Sequence, residues 1–458
     1  MDIIAQNNHS NKPLSNKIIN FVKLYRIGSI LRECNAYKMR GIAVVEIFIV
    51  LISAIFQHKS IYQLLKEKHS GIKFEKDTVY RFMNSPHINW RKFTLLLGKE
   101  IIEKSIEPLT DEKRINVLIF DDYMFERNRS KCVELLAKVY DHAHDKYIKG
   151  FRMLTMLWSD GNTNIPLNFC LLSTNNKKCL LNSASDKIDH RTNGWKQRQL
   201  AITEAPSVLL QMLRDAKEAG IRAKHVLFDT WFCSPKSLIN IKNLGFYAIA
   251  MTKKDEKNCF VYHGKKQSVL SIYRTEKKRP GKSRYLLSVK AYARKDDEEI
   301  PVRLVYVRNR NKRKEYLILV TTDMSLSEED IIRLYGKRWN IEVFFKMCKS
   351  FLNLSKECRS ISYDGITAHV AIVFSRYSLL AVENRNNIDQ RTLGELFYIM
   401  VDELEDIRYM EALQMIMNLF VDQLKGLALF DEKRLDVILD KFLSDLPNMW
   451  NMCLKRCS

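Results

Sequence analysis

Residues 1 to about 105 carry apolar positions at helical spacing with few Gly or Pro interruptions, and they predict a helical region. Within it, "FEKDTVYRFMNSPHINWRKF" places Asp77 ahead of an apolar-periodic stretch as a helix N-cap. Pro86 and Asn89 mark a turn before another helix. The texture changes at 115. "INVLIFDDYMF" is a short continuous apolar run ending in two acids, the pattern of a buried strand. "GFRMLTMLWSDGNTNIPLNFCLLS" sets two apolar runs about Asp160-Gly161 and predicts a hairpin. Residues 198–220 read as a helix stopped by Gly220, "RAKHVLFDTWFCSP" as a second buried strand ending in an acid, and "GFYAIAMTKK" as a third strand. Between 258 and 322, "SRYLLSVKAYAR", "IPVRLVYVRN" and "EYLILVTT" are strand-like with no helix between them, which predicts a β-rich insertion. From 328 onward the pattern is helical again, including nearly all of 364–455. This order predicts a mixed α/β sheet flanked by helical regions.

The chain has 458 residues, 46% of them hydrophobic, enough for two or three domains with a substantial core. Lys and Arg number 75 against 53 Asp and Glu, a formal net charge of +22. Such an excess predicts a polyanionic partner, most commonly nucleic acid, with binding that weakens steeply as salt rises. Charge does not separate a nucleic-acid enzyme from a passive binder. The ten cysteines include no C-x-x-C pair, and Cys453 and Cys457 have no histidines near in sequence. That argues against zinc and for free thiols in a reducing cytoplasm. The opening "MDIIAQNNHSNKPLSNK" has no apolar core of a secretory signal. The longest apolar run, at 41–56, is interrupted by Glu46 and falls short of the roughly 20 residues a bilayer needs. It predicts a core helix, with no membrane partner.

Residues 335–349, "YGKRWNIEVFFKMCK", bring charge into an otherwise apolar helix. At about 100° per residue, Tyr335, Arg338, Glu342 and Lys349 share one stripe about 60° wide. Ile341, Val343, Phe344, Met347 and Cys348 lie on the other side. Alone, such a stripe is an ordinary solvated face with a salt bridge. Two other acidic positions change its meaning. Asp121 (or Asp122) at "LIFDD" and Asp229 at "VLFDT" stand where buried strands run out. Parallel neighbours would bring them together at one end of the sheet. With Glu342 they make an all-oxygen donor set suited to Mg²⁺ or Mn²⁺. Two such ions can activate an attacking oxygen and stabilise a leaving one at a phosphodiester. The cations beside Glu342 would then hold phosphates.

The spacing Tyr335-x2-Arg338-x3-Glu342-x6-Lys349 resembles in full the Y-x2-R-x3-E-x6-K signature of DDE transposases of the insertion-sequence-four family. Together with the strand-end acids, the resemblance covers roughly 115–355. It implies a ribonuclease-H-like mixed sheet at 115–355 with a β-rich insertion at about 258–322. A helical DNA-binding region at 1–105 and a helical C-terminal region at 356–458, available for dimerisation, would flank it. It implies Asp121, Asp229 and Glu342 as the catalytic acids that bind two Mg²⁺ or Mn²⁺ ions. Tyr335, Arg338 and Lys349, with Lys346 beside them, become the DNA contacts.

The function this implies is that of a bacterial insertion-sequence transposase, cytoplasmic and nucleoid-associated. It would bind terminal inverted repeats and target DNA as a homodimer, and cleave and transfer strands. A nuclease or resolvase of the same fold without strand transfer and a catalytically idle DNA-binding relative are the alternatives. Two departures stand out. The first motif is commonly Asp-x-Ser/Thr, whereas Tyr123 fills the hydroxyl position here; that register favours Asp121 and keeps Asp122 open. Some relatives stack a flipped base on a tryptophan of the insertion, and this chain has none between Trp231 and Trp339.

Other groups carry weaker expectations. Arg81, Arg91 and Lys92 could touch phosphates, as could the basic loop at 277–284. His142 and His144 read as solvated loop histidines before a metal pair, and Cys233 as a core thiol before a nucleophile.

Overall fold

The computed structural model describes residues 13–57, 60–66, 72–110, 114–141, 145–280, 283–309, 315–356 and 358–386. The expectations for His142, His144, Cys453, Cys457 and the C-terminal region beyond 386 lie outside these residues, as does part of the loop at 277–284.

The described chain opens with α1 (Pro13–Leu24), α2 (Ile27–Glu33), α3 (Val44–Ser53), α4 (Ile61–Lys66), α5 (Lys76–Met83) and α6 (Trp90–Ile101). The long apolar run at 41–56 supplies α3, whose Ile47, Phe48, Leu51 and Ile52 are wholly buried. Asn89 caps α6 by accepting from the Lys92 amide. Asp77 is not the cap of α5; that position is Glu75, and Asp77 lies in the first turn, where its charge faces the positive helix end.

The sheet begins with β1 (Val117–Glu126), β2 (Ala137–Asp141), β3 (Lys146–Ser159) and β4 (Asn164–Leu172). Helices α7 (Asn193–Ala201) and α8 (Ala205–Glu218) precede β5 (His225–Phe228), and α9 (Pro235–Asn243) precedes β6 (Tyr247–Met251). The stretch 198–220 is therefore two helices. Pro206 sits in the first turn of α8, where its missing N–H costs nothing, while its ring keeps the preceding chain from continuing a helix.

The remaining strands are β7 (Cys259–Tyr262), β8 (Lys265–Ser268), β9 (Tyr285–Lys295), β10 (Glu298–Arg308) and β11 (Tyr316–Thr321). A short helix, α10 (Val269–Thr275), interrupts the expected all-strand insertion. Ser268 caps it, a side-chain to backbone signal that the apolar pattern does not carry. The eleven strands among the described residues form one sheet, ordered β2–β3–β1–β5–β6–β11–β10–β9–β7–β8, with β4 also paired to β3. Strands β3, β1 and β4 are antiparallel neighbours, whereas β1, β5 and β6 run parallel.

Three helices complete the described chain: α11 (Glu328–Gly336), α12 (Asn340–Ser350) and α13 (Tyr363–Asn386). Residues 335–349 are not one unbroken helix, because a 3-10 turn at Lys337–Trp339 joins α11 to α12. Val343 is also not core; it is 49% exposed. Helix α13 is long and apolar enough to cross a membrane, yet that window is entirely buried inside the fold. Its start is tied to α7 by a buried network. Arg198 bonds Asp364 at 3.0 and 2.8 Å and Glu134 at 2.6 and 2.7 Å.

Candidate active site

Val117 to Phe120 are apolar and buried on both faces, as befits a central strand with β3 on one side and β5 on the other. The parallel register Val117↔His225, Leu118↔Val226, Ile119↔Leu227 brings the two apolar runs to their ends together, but only β5 stops there. Against expectation β1 continues through Asp121 to Glu126, because β3 keeps it paired as far as Gly150. Asp121 and Asp229 each follow that shared apolar stretch. The Asp229 carboxylate accepts from the Trp231 amide at 2.9 Å, which fixes the turn leaving β5.

Glu342 reaches the same end from α12. Ile341, Phe344 and Cys348 of that helix are fully buried. Phe344 meets Tyr377 and Phe374 edge-on at 4.7 and 5.1 Å, and Phe345 lies 5.2 Å from Tyr123 of β1. These contacts clamp α12 over the face of β1 that carries Asp121 and Tyr123, since alternate residues of a strand share a face.

Arg338 joins the two elements. Its guanidinium donates to Asp121 Oδ2 at 2.8 Å and to Glu342 Oε1 at 2.7 Å. Asp122 points the other way and is held by Arg152, at 2.5 Å. Arg152 in turn lies 4.6 Å over the ring of Trp231. Neither Arg152 nor Trp231 stands out in the sequence as part of a site. The one available signal for Arg152 is a lone charge inside the apolar run of β3.

The electrostatics match this crowding. Burial pushes the Asp121 carboxyl up to about 7; Arg338 opposes the shift, and Asp229 and Asp122 add to it. Asp229 is raised as well, by burial first, then by Asp122. The Tyr335 hydroxyl is buried and makes no well-formed hydrogen bond among the described residues, while lying close enough to Arg338, Asp229 and Asp121 to feel all three. Burial raises its ionisation well above the usual phenol value. Lys346 and Lys349 are exposed on α12, with no acidic partner among the described residues.

Whether these groups suit a divalent cation can be tested on the geometry. The donors are carboxylate oxygens, the chemistry hard cations prefer. A cationic guanidinium already spans Asp121 and Glu342, and the buried Tyr335 hydroxyl nearby makes no well-formed hydrogen bond among the described residues. As placed, however, no three His, Cys, Asp or Glu side chains among the described residues lie within reach of one ion. The donor set fits; closing it requires the Arg338 side chain to yield its place.

Other expected residues sit elsewhere. Arg91 is not a phosphate contact: it is buried, donating to Asn168 Oδ1 and the Phe169 carbonyl, each at 2.9 Å. Lys92 pairs with Glu33 at 3.0 Å. Arg81 is exposed. Cys233 is buried, its thiol pushed up to about 12 by desolvation, which disarms it as a nucleophile.

The sequence profile of a family described as DDE superfamily endonuclease matches residues 41–298, more than half of the chain. Asp121 and Asp229 fall inside the match, and Glu342 lies beyond it. No curated protein matches the chain.

Proposed function

The chain belongs to the DDE superfamily of endonucleases, and from that premise we propose that it is an insertion-sequence transposase, cutting DNA at the element's ends and joining the freed 3′ ends to target DNA. One observation carries the assignment of its centre: a single guanidinium, Arg338, spans Asp121 of β1 and Glu342 of α12, beside Asp229. Residues more than two hundred positions apart thus converge on one charge-bearing point at the sheet end.

In this reading Asp121, Asp229 and Glu342 hold Mg²⁺ or Mn²⁺, in a two-ion site. When bound, the metal would polarise the phosphodiester and favour an ionised attacking oxygen. The chain's own groups do the rest. Arg338 leaves the carboxylates for a DNA phosphate, Tyr335 offers its hydroxyl there, and Lys346 and Lys349 line the approach along α12. Asp122 stays with Arg152 and is a structural acid. The run β4–β3–β1–β5–β6, antiparallel on one side and parallel on the other, supports a ribonuclease-H-like core at 115–355. The helical region at 1–105 is assigned to end recognition, and of residues 356–458 the part beyond the buried α13 to pairing two copies on DNA.

One observation favours the idle DNA-binding relative: the three acids do not meet around a single ion position as placed. The deciding experiment incubates the protein with Mg²⁺ and a supercoiled plasmid carrying the element's terminal repeats. Excision with joined products supports the transposase; cutting without joining makes it a nuclease; no metal-dependent cutting leaves the binder.

A further inference from the structure

Residues Lys146 to Ile148 of β3 lie past the end of β1, whose last paired residue is Glu126 opposite Gly150. There β3 pairs with β2 in a ribbon, in the register Lys138↔Lys149 and Tyr140↔Tyr147, with the Lys149 carbonyl also accepting from the Arg127 amide at 2.7 Å. Strand alternation puts these four side chains on one face. The opposite face carries Ala137 and Ile148, both buried, which fasten the ribbon to the body. On the outward face Lys138 and Lys149 are exposed, directly opposed, and without an acidic partner among the described residues. Tyr140 and Tyr147 meet edge to face at 5.1 Å, with Tyr147 66% exposed. The Lys138 amide bonds the Cys179 carbonyl at 2.8 Å, which brings exposed Lys177 and Lys178 alongside.

Lysines on edge strands commonly serve only to block sheet-to-sheet association. That accounts for Lys138 on β2. It does not account for Lys149 on β3, for two like charges set opposite each other at a cost, or for the tyrosine pair beside them. A phosphate-bearing partner relieves the repulsion and uses both features.

We propose that this ribbon is a docking surface for duplex DNA, with Lys138 and Lys149 on backbone phosphates and Tyr147 against the sugar-phosphate wall. The inference rests on the proposed function for its choice of DNA as the polyanion, and it adds where the DNA lies. Lys149 is on the face of β3 that carries Thr155, the partner of Asp121. Six residues of strand put the ribbon about 20 Å from that acid, or about six base pairs of duplex at 3.4 Å each. The ribbon would grip DNA at that distance from the point of cutting.

The test measures anisotropy of a labelled duplex and of the matching single strand over a KCl series, without divalent metal. The full chain is compared with the pair Lys138→Gln, Lys149→Gln and with the pair Lys138→Arg, Lys149→Arg. Two lost phosphate contacts should reduce the duplex slope of log affinity against log salt by about 1.8, and the arginine pair should keep it. Thermal melting of the glutamine pair should be unchanged or raised, because a like-charge pair is gone. An unchanged duplex slope overturns the proposal, as does a loss confined to the single strand. Plasmid cutting separates the two readings. A reduced slope in a protein that never cuts keeps the ribbon and removes the transposase; normal cutting with an unchanged slope does the reverse.

Discussion

The Arg338 guanidinium lies 2.8 Å from the Asp121 carboxylate while its other terminal nitrogen holds Glu342 at 2.7 Å. An arginine here offsets two carboxylates, Asp121 mostly buried and Glu342 36% exposed. Arg338→Gln should therefore lower the stability of the metal-free protein, by about 1–3 kcal/mol, less than for a fully buried pair because water reaches Glu342. Mg²⁺ should restore much of the loss in the variant. Melting curves with and without the ion read both effects, and a variant as stable as the parent in the absence of metal would contradict the arrangement.

Asp121 and Asp122 are adjacent, yet they predict opposite outcomes. Asp121→Asn and Glu342→Gln should each remove a metal ligand and several kcal/mol of transition-state stabilisation, on the order of a thousandfold in cutting rate. Asp122→Asn breaks only the contact with Arg152 and should retain most of the activity. Should Asp122→Asn prove the more damaging, the assignment of the first ligand must move by one residue.

The raised carboxyl of Asp121 gives a pH dependence with a definite sign. Its folded value of about 7 exceeds the ordinary 3.8. Protonation thus favours the metal-free fold, a contribution complete below 3.8 and lost as pH rises through about 7. A bound cation reverses the preference, because it needs the ionised acid. Mg²⁺ affinity, followed by calorimetry, should climb as pH rises toward about 7 and level off above it. Asp121→Asn should flatten that climb, and a parent profile without it would rule the mechanism out.

Away from the site, Arg198 ties α7 to the first turn of α13 through Glu134 and Asp364. Removing it leaves two acids in a nearly dry setting. Arg198→Ala should cost about 3–5 kcal/mol, seen as a lower urea midpoint. A variant in which Glu134 and Asp364 also become neutral should recover part of that loss.

Much of the sheet is legible in the chain because its central strands are continuous apolar runs that stop at an acid. Val117–Phe120 and His225–Phe228 announce where they are buried; β5 also ends where its run does, whereas β1 goes on to Glu126, held by a pairing with β3 that local pattern does not show. Helical phase shows equally that Arg338 and Glu342 share a side of their segment. Local pattern says nothing about tertiary partners, however. It cannot tell that Arg91 points inward to Asn168, or that Arg152 crosses the sheet to hold Asp122. Nor does it show the 3-10 turn at Lys337–Trp339, since those residues are ordinary helix formers and the turn answers to packing on either side.

The insertion departs from β6 at Met251, extends the same sheet outward and comes back beside it at Leu319, and these two residues are paired across β6 and β11. The detour's two feet are therefore bolted side by side, while Ser288 of β9 and Arg303 of β10 hold Glu328 at the start of α11. The outlying β7–β8 hairpin is the part that can lengthen, shorten or be exchanged without lever action on α11 and α12. The path from Leu319 through α11 to Glu342 starts from an anchored point. Appendages grafted there would alter what the protein touches while the spacing of its acids stays as it was.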